Sequence, residues 1–123
     1  MGMVFEKVKD MLPVSGDDYD GQIIAQINAA VLDLTRTAEI VLPGEVNITR
    51  THQAATTSEP EKWVITDSST LEDDYVITAI AAWCNMRIGN PPNYDNLLKA
   101  YESMKGSMRI SSDYTSYGEV TTE

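Results

Sequence analysis

The feature that most constrains this chain is a stop between two helix-like runs, in the stretch MRIGNPPNYDNLLKAYESMKGSMRI (86–110). Gly89 suits the position just after a helix end, and Pro91 and Pro92 lack the N–H that a continuing helix needs. The run before the stop, YVITAIAAWCNM, is apolar on nearly every side, which predicts a buried helix at the centre of the domain. The chain is therefore expected to turn sharply after this central helix and to begin another.

Three further segments have the apolar spacing of amphipathic helices, at about 3–12, 18–41 and 93–110. The central helix is expected to begin near Ser69, which has capping-box spacing to Glu72. The last helix contains a glycine, Gly106, which indicates a kink, a close helix contact or a division into two shorter pieces.

Residues 43–66 have no helical period. The stretches EVNIT (45–49) and KWVIT (62–66) favour short extended pieces, and the polar residues between them favour a loop. A small hairpin and an irregular excursion fit this pattern equally well.

The predicted fold class is all-α. We expect a small helical bundle of three main helices plus a short N-terminal helix, with a long loop or small β-hairpin between the first two main helices. The whole chain, 1–123, is predicted to be a single domain, with a helical core at about 3–110 and an extended C-terminal tail at about 111–123.

The charge is strongly negative, because nine basic residues face nineteen acidic ones and the formal net charge is −10. The basic residues are scattered singly, so the chain lacks the electrostatic footprint of a protein that grips phosphates. An acidic surface commonly serves solubility, but it also suits a protein that lies near nucleic acid without binding it. Composition leaves both interpretations open.

The location expected from the sequence is the cytosol. No apolar run is long enough to cross a bilayer, and the N-terminal stretch MGMVFEKVKDMLP is not typical of a signal peptide. The single cysteine, Cys84, cannot form an internal disulfide and gives no sign of an oxidising compartment.

No catalytic, cofactor-binding or metal-binding residue is predicted, and the chain is not expected to be an enzyme. His52, the only histidine, lies in the polar loop, whereas Cys84 lies in the most apolar helix. The acidic stretch DDYDG (17–21) resembles the start of a calcium loop, but a correct register lacks the required ligands. We interpret these carboxylates as residues of a helix start.

Four of the six tyrosines lie in the last quarter of the chain, together with Met104 and Met108. On a helix, Tyr101, Met104 and Met108 favour a core stripe, although both residue types are also common at protein contacts. Tyr114 and Tyr117 lie beyond the helix, in a tail that is either disordered or ordered against a partner.

These parts occur in a recognisable order: DDYDGQIIAQINAAVLDLTR, a polar excursion, a hydrophobic helix and MRIGNPPNYDNLLKAYESMKGSMRISSDYT. This layout resembles the head-to-tail connector, or adaptor, proteins of tailed bacteriophages. The likeness is carried by Asp18, Asp20, Ile23, Ile27 and Ala30, by the hydrophobic central helix and by the stretch NPP.YD.L...Y...K..MR. It covers most of the chain except the loop at about 50–62.

The resemblance implies a structural virion protein at the head–tail interface, assembled in the host cytoplasm. Its subunits would form a homo-oligomeric ring, expected to be a dodecamer, beneath the portal protein. The ring would extend the DNA channel, let DNA pass without specific binding, and dock a downstream stopper or tail-completion protein. Neither a cofactor nor a membrane is implied.

The resemblance also implies roles for two segments. The C-terminal segment, with Met108, Arg109, Tyr114 and Tyr117, is expected to contact the portal or another partner. The excursion, with Arg50, His52 and Trp63, is expected to face the lumen or the tail-side partner.

Two other classes of function remain as alternatives. One is a small acidic helical adaptor or inhibitor that binds a host or phage protein by resembling nucleic acid in charge. The other is a nucleic-acid-binding module, for which the charge balance gives little support. Clustering of the carboxylates on one continuous face would favour the acidic adaptor.

Overall fold

The computed structural model describes residues 3–14, 16–88, 92–111 and 114. Within these residues, four α-helices and a two-stranded antiparallel sheet form a small α/β domain. In chain order the elements are α1 (Val4–Asp10), α2 (Asp20–Leu32), a π-helical turn (Asp33–Thr37), β1 (Ile48–Gln53), β2 (Lys62–Asp67), α3 (Asp74–Arg87) and α4 (Tyr94–Arg109).

The predicted all-α fold class is wrong, because the excursion between α2 and α3 forms a regular sheet. β1 and β2 pair in antiparallel register, with Ile48 opposite Asp67 and Gln53 opposite Lys62. Most residues of both strands are β-branched or aromatic, and such side chains fit a pleated surface better than a helix. The chain is therefore not an all-α bundle of three main helices, and of the two alternatives for the excursion the hairpin is the one that forms.

The base of the sheet is fastened to the helical body by the segments on either side of it. The backbone N–H of Asn47 donates to Ser69 Oγ at 2.8 Å, and that of Glu45 donates to Thr70 Oγ1 at 2.8 Å. At the end of β2, the Asp67 carboxylate accepts a 2.8 Å hydrogen bond from the backbone N–H of Phe5 in α1.

The helix predicted at 18–41 ends earlier than expected. After α2 the backbone widens into the π-helical turn, and Glu39 then adopts a left-handed conformation with φ of 58°. The N–H of Ile40 donates to the carbonyl of Leu34 at 2.9 Å, six residues back, and so closes the end of the widened turn. The following segment, 39–47, leads to β1 without forming a helix or a strand.

The central helix also begins later than predicted. Ser69 is buried and accepts a hydrogen bond from Asn47, so its hydroxyl is not a helix cap. The N-cap of α3 is Asp73, whose carboxylate accepts from the N–H of Val76 at 3.1 Å. The capping-box interpretation of Ser69 and Glu72 is therefore wrong.

Helix α3 lies at the centre of the body, as the sequence predicts, and packs against α1, α2 and α4. Its apolar residues are buried on several sides, which is the arrangement expected of a helix enclosed by its neighbours. The core is built from Val4, Phe5 and Val8 of α1, Ile23, Ile27 and Ala30 of α2, Val76, Ile77, Ile80 and Cys84 of α3, and Tyr101 and Met108 of α4.

Helix α4 is continuous through Gly106, so the helix predicted at about 93–110 is confirmed and the alternative of two shorter pieces is wrong. A β-carbon at this glycine would meet no atom within 4 Å, which also excludes a close helix contact there. Residues 89–91, which hold the predicted stop, lie outside the described residues, whereas Pro92 is described and exposed.

Candidate functional site

The most exposed part of the structure is the sheet and the loop that joins its strands, residues 48–67, which we call the hairpin arm. Every residue from 49 to 64 is exposed, and at the base Ile48 is buried against the helical body. An isolated two-stranded hairpin is only marginally stable in water. The arm is therefore held mainly by its base. One face carries Arg50 close to Gly21 at the start of α2, and the opposite face is open to contacts.

Strand pairing brings together the three excursion residues singled out in the sequence. His52 lies directly opposite Trp63, and Arg50 lies two positions from His52 on the same face of the sheet. The guanidinium carbon of Arg50 lies 4.1 Å from the centre of the Trp63 ring, and the His52 ring centre lies 4.9 Å from it. We call Arg50, His52 and Trp63 the tryptophan cluster.

The tryptophan cluster is preorganised for contact. Trp63 is 53% exposed although it stacks with a guanidinium, and His52 Nε2 is held 2.8 Å from Glu61 Oε2. Tryptophan and arginine are enriched among the few residues that carry most of the binding energy at protein interfaces. The cluster thus has the composition of an interface anchor.

A groove of about 640 Å³ separates the hairpin arm from the start of α2. Its walls carry charges of both signs and include Asp17, Asp18, Arg50, Glu61 and Lys62. The hairpin arm comes closest to α2 at Gly21, since a β-carbon there would lie 2.8 Å from Arg50 Nη1.

One carboxylate at this helix start is structural. Asp20 is buried, and its Oδ1 lies 2.7 Å from Lys9 Nζ, joining α2 to α1. Asp17 remains on the surface, 4.0 Å from the same amino group. Across the described residues, no group of three His, Cys, Asp or Glu side chains is arranged to hold a metal ion.

The predicted C-terminal contact residues have different environments. Met108 is fully buried in the core, whereas Arg109 is exposed. Tyr114 folds back onto the body: its hydroxyl donates to Asp73 Oδ2 at 2.7 Å, and its carbonyl accepts from the N–H of Val41 at 2.7 Å. Tyr117 lies outside the described residues. Met108, Arg109 and Tyr114 therefore do not form one exposed patch, and the role of the four residues in portal binding stays a prediction.

A polar network that the sequence did not predict joins α4 to the π-helical turn. Asp33 Oδ2 accepts from the Tyr101 hydroxyl at 2.5 Å and from Lys105 Nζ at 3.0 Å. Burial acts to raise the pKa of the Asp33 carboxyl, but the hydrogen bonds from Tyr101 and Lys105 and the charges of Lys105 and Arg87 outweigh it and lower that pKa. Burial and the adjacent Asp33 carboxylate raise the pKa of Tyr101.

This network has the properties of a structural contact. Tyr101 is almost completely buried, and the Lys105 side chain is mostly covered. The widened turn at Asp33 aims its carboxylate at α4, which fits the frequent use of π-helical turns to place one side chain.

His52 and Cys84 are not brought together. Cys84 is fully buried in α3, where burial raises the pKa of its thiol to about 12, an effect only partly opposed by the charge of Arg87. His52 lies on the exposed arm. A thiol with a raised pKa is a poor nucleophile.

A second groove, of about 750 Å³, lies where the end of α1, the end of α3 and the start of α4 meet, and we call it the end groove. Its wall mixes apolar and polar side chains and includes Met11, which is 44% exposed, together with Leu12, Ile88, Asn85 and Asn93. The carboxylate Asp10 lies at its rim. The sequence analysis did not predict this groove. The one feature that could have indicated it is the apolar stretch MLPV (11–14), which follows the end of α1.

No protein-family model, curated protein or solved structure matches this chain. Among the described helices, none combines the length and apolar character needed to cross a membrane.

Proposed function

We propose that this protein is a structural subunit of a tailed bacteriophage virion, a head-to-tail connector. Its copies form a ring beneath the portal protein, extend the DNA channel and dock the next connector or tail component. The resemblance in the sequence suggests this class of protein, and the geometry of the hairpin arm is the observation that carries the proposal.

The hairpin arm supports an assembly role because it presents a preorganised anchor that the chain itself does not cover. Its base is fixed by hydrogen bonds from Asn47 and Glu45, so the arm is attached in a defined direction. Trp63 stays half exposed on a face shared with Arg50 and His52. Tryptophan and arginine are enriched among the residues that contribute most to binding at protein interfaces, so this surface suits a subunit of an assembly.

The charge of the chain supports the same proposal. A channel wall must let DNA slide, and a net charge of −10 disfavours tight contacts to phosphates.

The sheet is a departure from the wholly helical subunit that the resemblance implied. It replaces only the excursion between α2 and α3, the part of the chain where the likeness was weakest. The helical segments that carry the likeness form α2, α3 and α4.

The acidic-mimic alternative receives less support. A mimic needs its carboxylates on one continuous exposed face, but several acids are engaged within the fold. Asp20 pairs with Lys9, Asp33 with Tyr101 and Lys105, and Asp73 caps α3.

The proposal is tested by mixing the purified protein with the portal protein encoded in the same genome and imaging the mixture by negative stain. We expect an added ring of density on one face of the portal. Portal rings without added density, together with no co-sedimentation of the two proteins, would contradict the proposal.

A further inference from the structure

We infer that residues 115–118 of this chain dock in a groove of the same copy, with the ring of Tyr117 as their anchor. This third groove is lined by the end of α2, the π-helical turn and the segment 40–47, and we call it the linker groove. The docking takes place within one copy, so it does not rest on the proposed function.

The linker groove has a volume of about 490 Å³ and a mainly apolar wall. Its apolar lining includes four side chains that the fold covers incompletely: Val31, Val41, Leu42 and Val46. Val41 is the most open of them, at 46% exposure. Covering such surface releases water and is favourable, so the groove suits an apolar or aromatic side chain.

The wall formed by the segment 40–47 is held in place from behind. The N–H of Glu45 donates to Thr70 Oγ1 at 2.8 Å, and the N–H of Thr70 donates back to the Glu45 carbonyl at 2.9 Å. Gly44 packs so closely that a β-carbon there would lie 2.6 Å from Leu71 Cα. The groove is therefore formed before anything enters it, as binding sites commonly are.

The chain reaches the rim of the linker groove at Tyr114. The carbonyl of Tyr114 accepts from the N–H of Val41 at 2.7 Å, and Val41 is itself a lining residue. The hydroxyl donates to Asp73 Oδ2 at 2.7 Å, and the ring stacks on Tyr75 with ring centres 6.5 Å apart. Because both ends of Tyr114 are fixed, the next peptide unit starts at the groove.

The residues that follow have the chemistry to fill the groove. Nine residues come after Tyr114, with the sequence TSYGEVTTE, and the first four carry no charge. Tyr117 has the one large side chain among these four. Three residues span at most about 10 Å when extended, so the ring of Tyr117 can enter the groove while Tyr114 keeps its contacts. A buried tyrosine also needs a partner for its hydroxyl, and the groove offers Thr35, Glu45 and Asn47.

Attachment and charge favour this occupant over a separate molecule. A segment joined to the rim of its site has an effective concentration of about millimolar order, so even weak docking is populated. A second copy also carries a net charge of −10 and must approach against repulsion. Glu45 is the one charged residue of the groove lining, and the first acid of the tail, Glu119, comes after the uncharged stretch.

Five full-length proteins test the inference: the wild type, Tyr117→Ser, Val41→Asp, and the controls Val120→Ser and Val64→Asp. Val41→Asp places a charge in the groove lining but keeps the backbone N–H that donates to Tyr114. Val64→Asp makes the same change at an exposed side chain of the hairpin arm, outside the linker groove. Val120→Ser shortens an apolar side chain of the tail beyond the proposed anchor.

Nuclear magnetic resonance supplies two readouts for each protein. Backbone amide order parameters report whether residues 116–118 are held, and nuclear Overhauser effects report contacts of the Tyr117 ring with the methyl groups of Val31 and Val46. The amide spectrum shows whether each variant remains folded.

We expect the wild type to have order parameters of about 0.8 at residues 116–118 and to show the ring-to-methyl contacts. Tyr117→Ser and Val41→Asp should each lower these order parameters below about 0.6, the range of a flexible backbone. Val120→Ser and Val64→Asp should keep the wild-type values, because neither change touches the anchor or the groove.

A sample that mixes isotope-labelled and unlabelled copies identifies whose groove is filled. We expect the contacts of Tyr117 to arise within labelled copies alone and to be the same at every protein concentration. Contacts between labelled and unlabelled copies would make a second copy the occupant and would overturn the inference. It would also be overturned by wild-type order parameters below about 0.6 at residues 116–118, by a Val41→Asp variant that matches Val64→Asp, or by loss of order in Val120→Ser.

Discussion

The phenol of Tyr101 in α4 donates a 2.5 Å hydrogen bond to the carboxylate of Asp33, at the point where α2 widens into a π-helical turn. The two residues are 68 positions apart in the chain, so the bond ties the last helix to the end of the first long one. Tyr101 is also in edge contact with Trp83 of α3, with ring centres 5.3 Å apart. The position of α4, and hence of the chain that leaves it, depends on this contact.

Replacing Tyr101 with phenylalanine removes the hydroxyl but keeps the ring in the core. Asp33 then loses one of two donors while it remains largely covered, and we expect the free energy of unfolding to fall by about 1–2 kcal/mol. Urea denaturation followed by circular dichroism measures the change. Tyr94→Phe is the matched control, since Tyr94 is exposed on the same helix and its change should stay within about 0.5 kcal/mol. Equal effects of the two substitutions would show that the Asp33 contact contributes nothing.

The helices of the body follow from local patterns that the sequence displays directly. The buried character of α3 is visible as an apolar run, and α4 lies within one residue of its predicted ends. The start of α3 was predicted wrongly because Ser69 and Asp73 both have side chains that can cap a helix. The backbone N–H of Asn47 donates to the Ser69 hydroxyl, and Asp73 is the residue that caps α3. Such a choice depends on a contact between distant segments and leaves no local signal.

The tryptophan cluster likewise depends on a contact between segments that are distant in sequence. Arg50, His52 and Trp63 were singled out one by one as residues of an excursion, but their shared face depends on strand register. The all-α prediction failed at this point, because alternating β-branched residues in a polar context fit a hairpin and an irregular loop alike. Asp33 was missed entirely, since nothing near it in sequence marks a carboxylate that will meet a tyrosine.

The lowered pKa of Asp33 predicts a dependence of stability on acid. A carboxyl whose pKa is lower in the folded state than in the unfolded one stabilises the fold above its ordinary pKa, near 4. This contribution is lost as the pH falls through the folded-state pKa. We therefore expect the stability difference between wild type and Asp33→Asn to shrink as the pH falls below about 4.

Urea denaturation at a series of pH values measures this difference. Asp95→Asn is the control, because Asp95 is an exposed carboxylate in the first turn of α4 and takes no part in the network. A stability difference for Asp33→Asn that stays constant throughout the acid range would contradict the prediction.

The burial of Cys84 predicts slow reaction with thiol reagents. The side chain has no exposed surface, and burial raises the pKa of its thiol to about 12, so little thiolate exists and none of it is accessible. At pH 8 we expect the folded protein to react with a disulfide reagent at least about 100-fold more slowly than the unfolded protein. Absorbance of the released thiolate gives both rates, and the single cysteine makes the assignment unambiguous. Complete labelling of folded protein within seconds would show that α3 opens readily.

Two glycines should respond to alanine in opposite directions. At Gly44 a β-carbon would lie 2.6 Å from Leu71 Cα and 2.8 Å from Leu71 N, so backbone must move to admit it. At Gly106 a β-carbon meets nothing within 4 Å, and alanine is the better helix former by about 0.5–1 kcal/mol. Gly44→Ala should therefore lower the unfolding midpoint in urea, whereas Gly106→Ala should raise it. A destabilising Gly106→Ala would mean that α4 needs flexibility at this position, and a neutral Gly44→Ala would mean that the segment before β1 is free to shift away from Leu71.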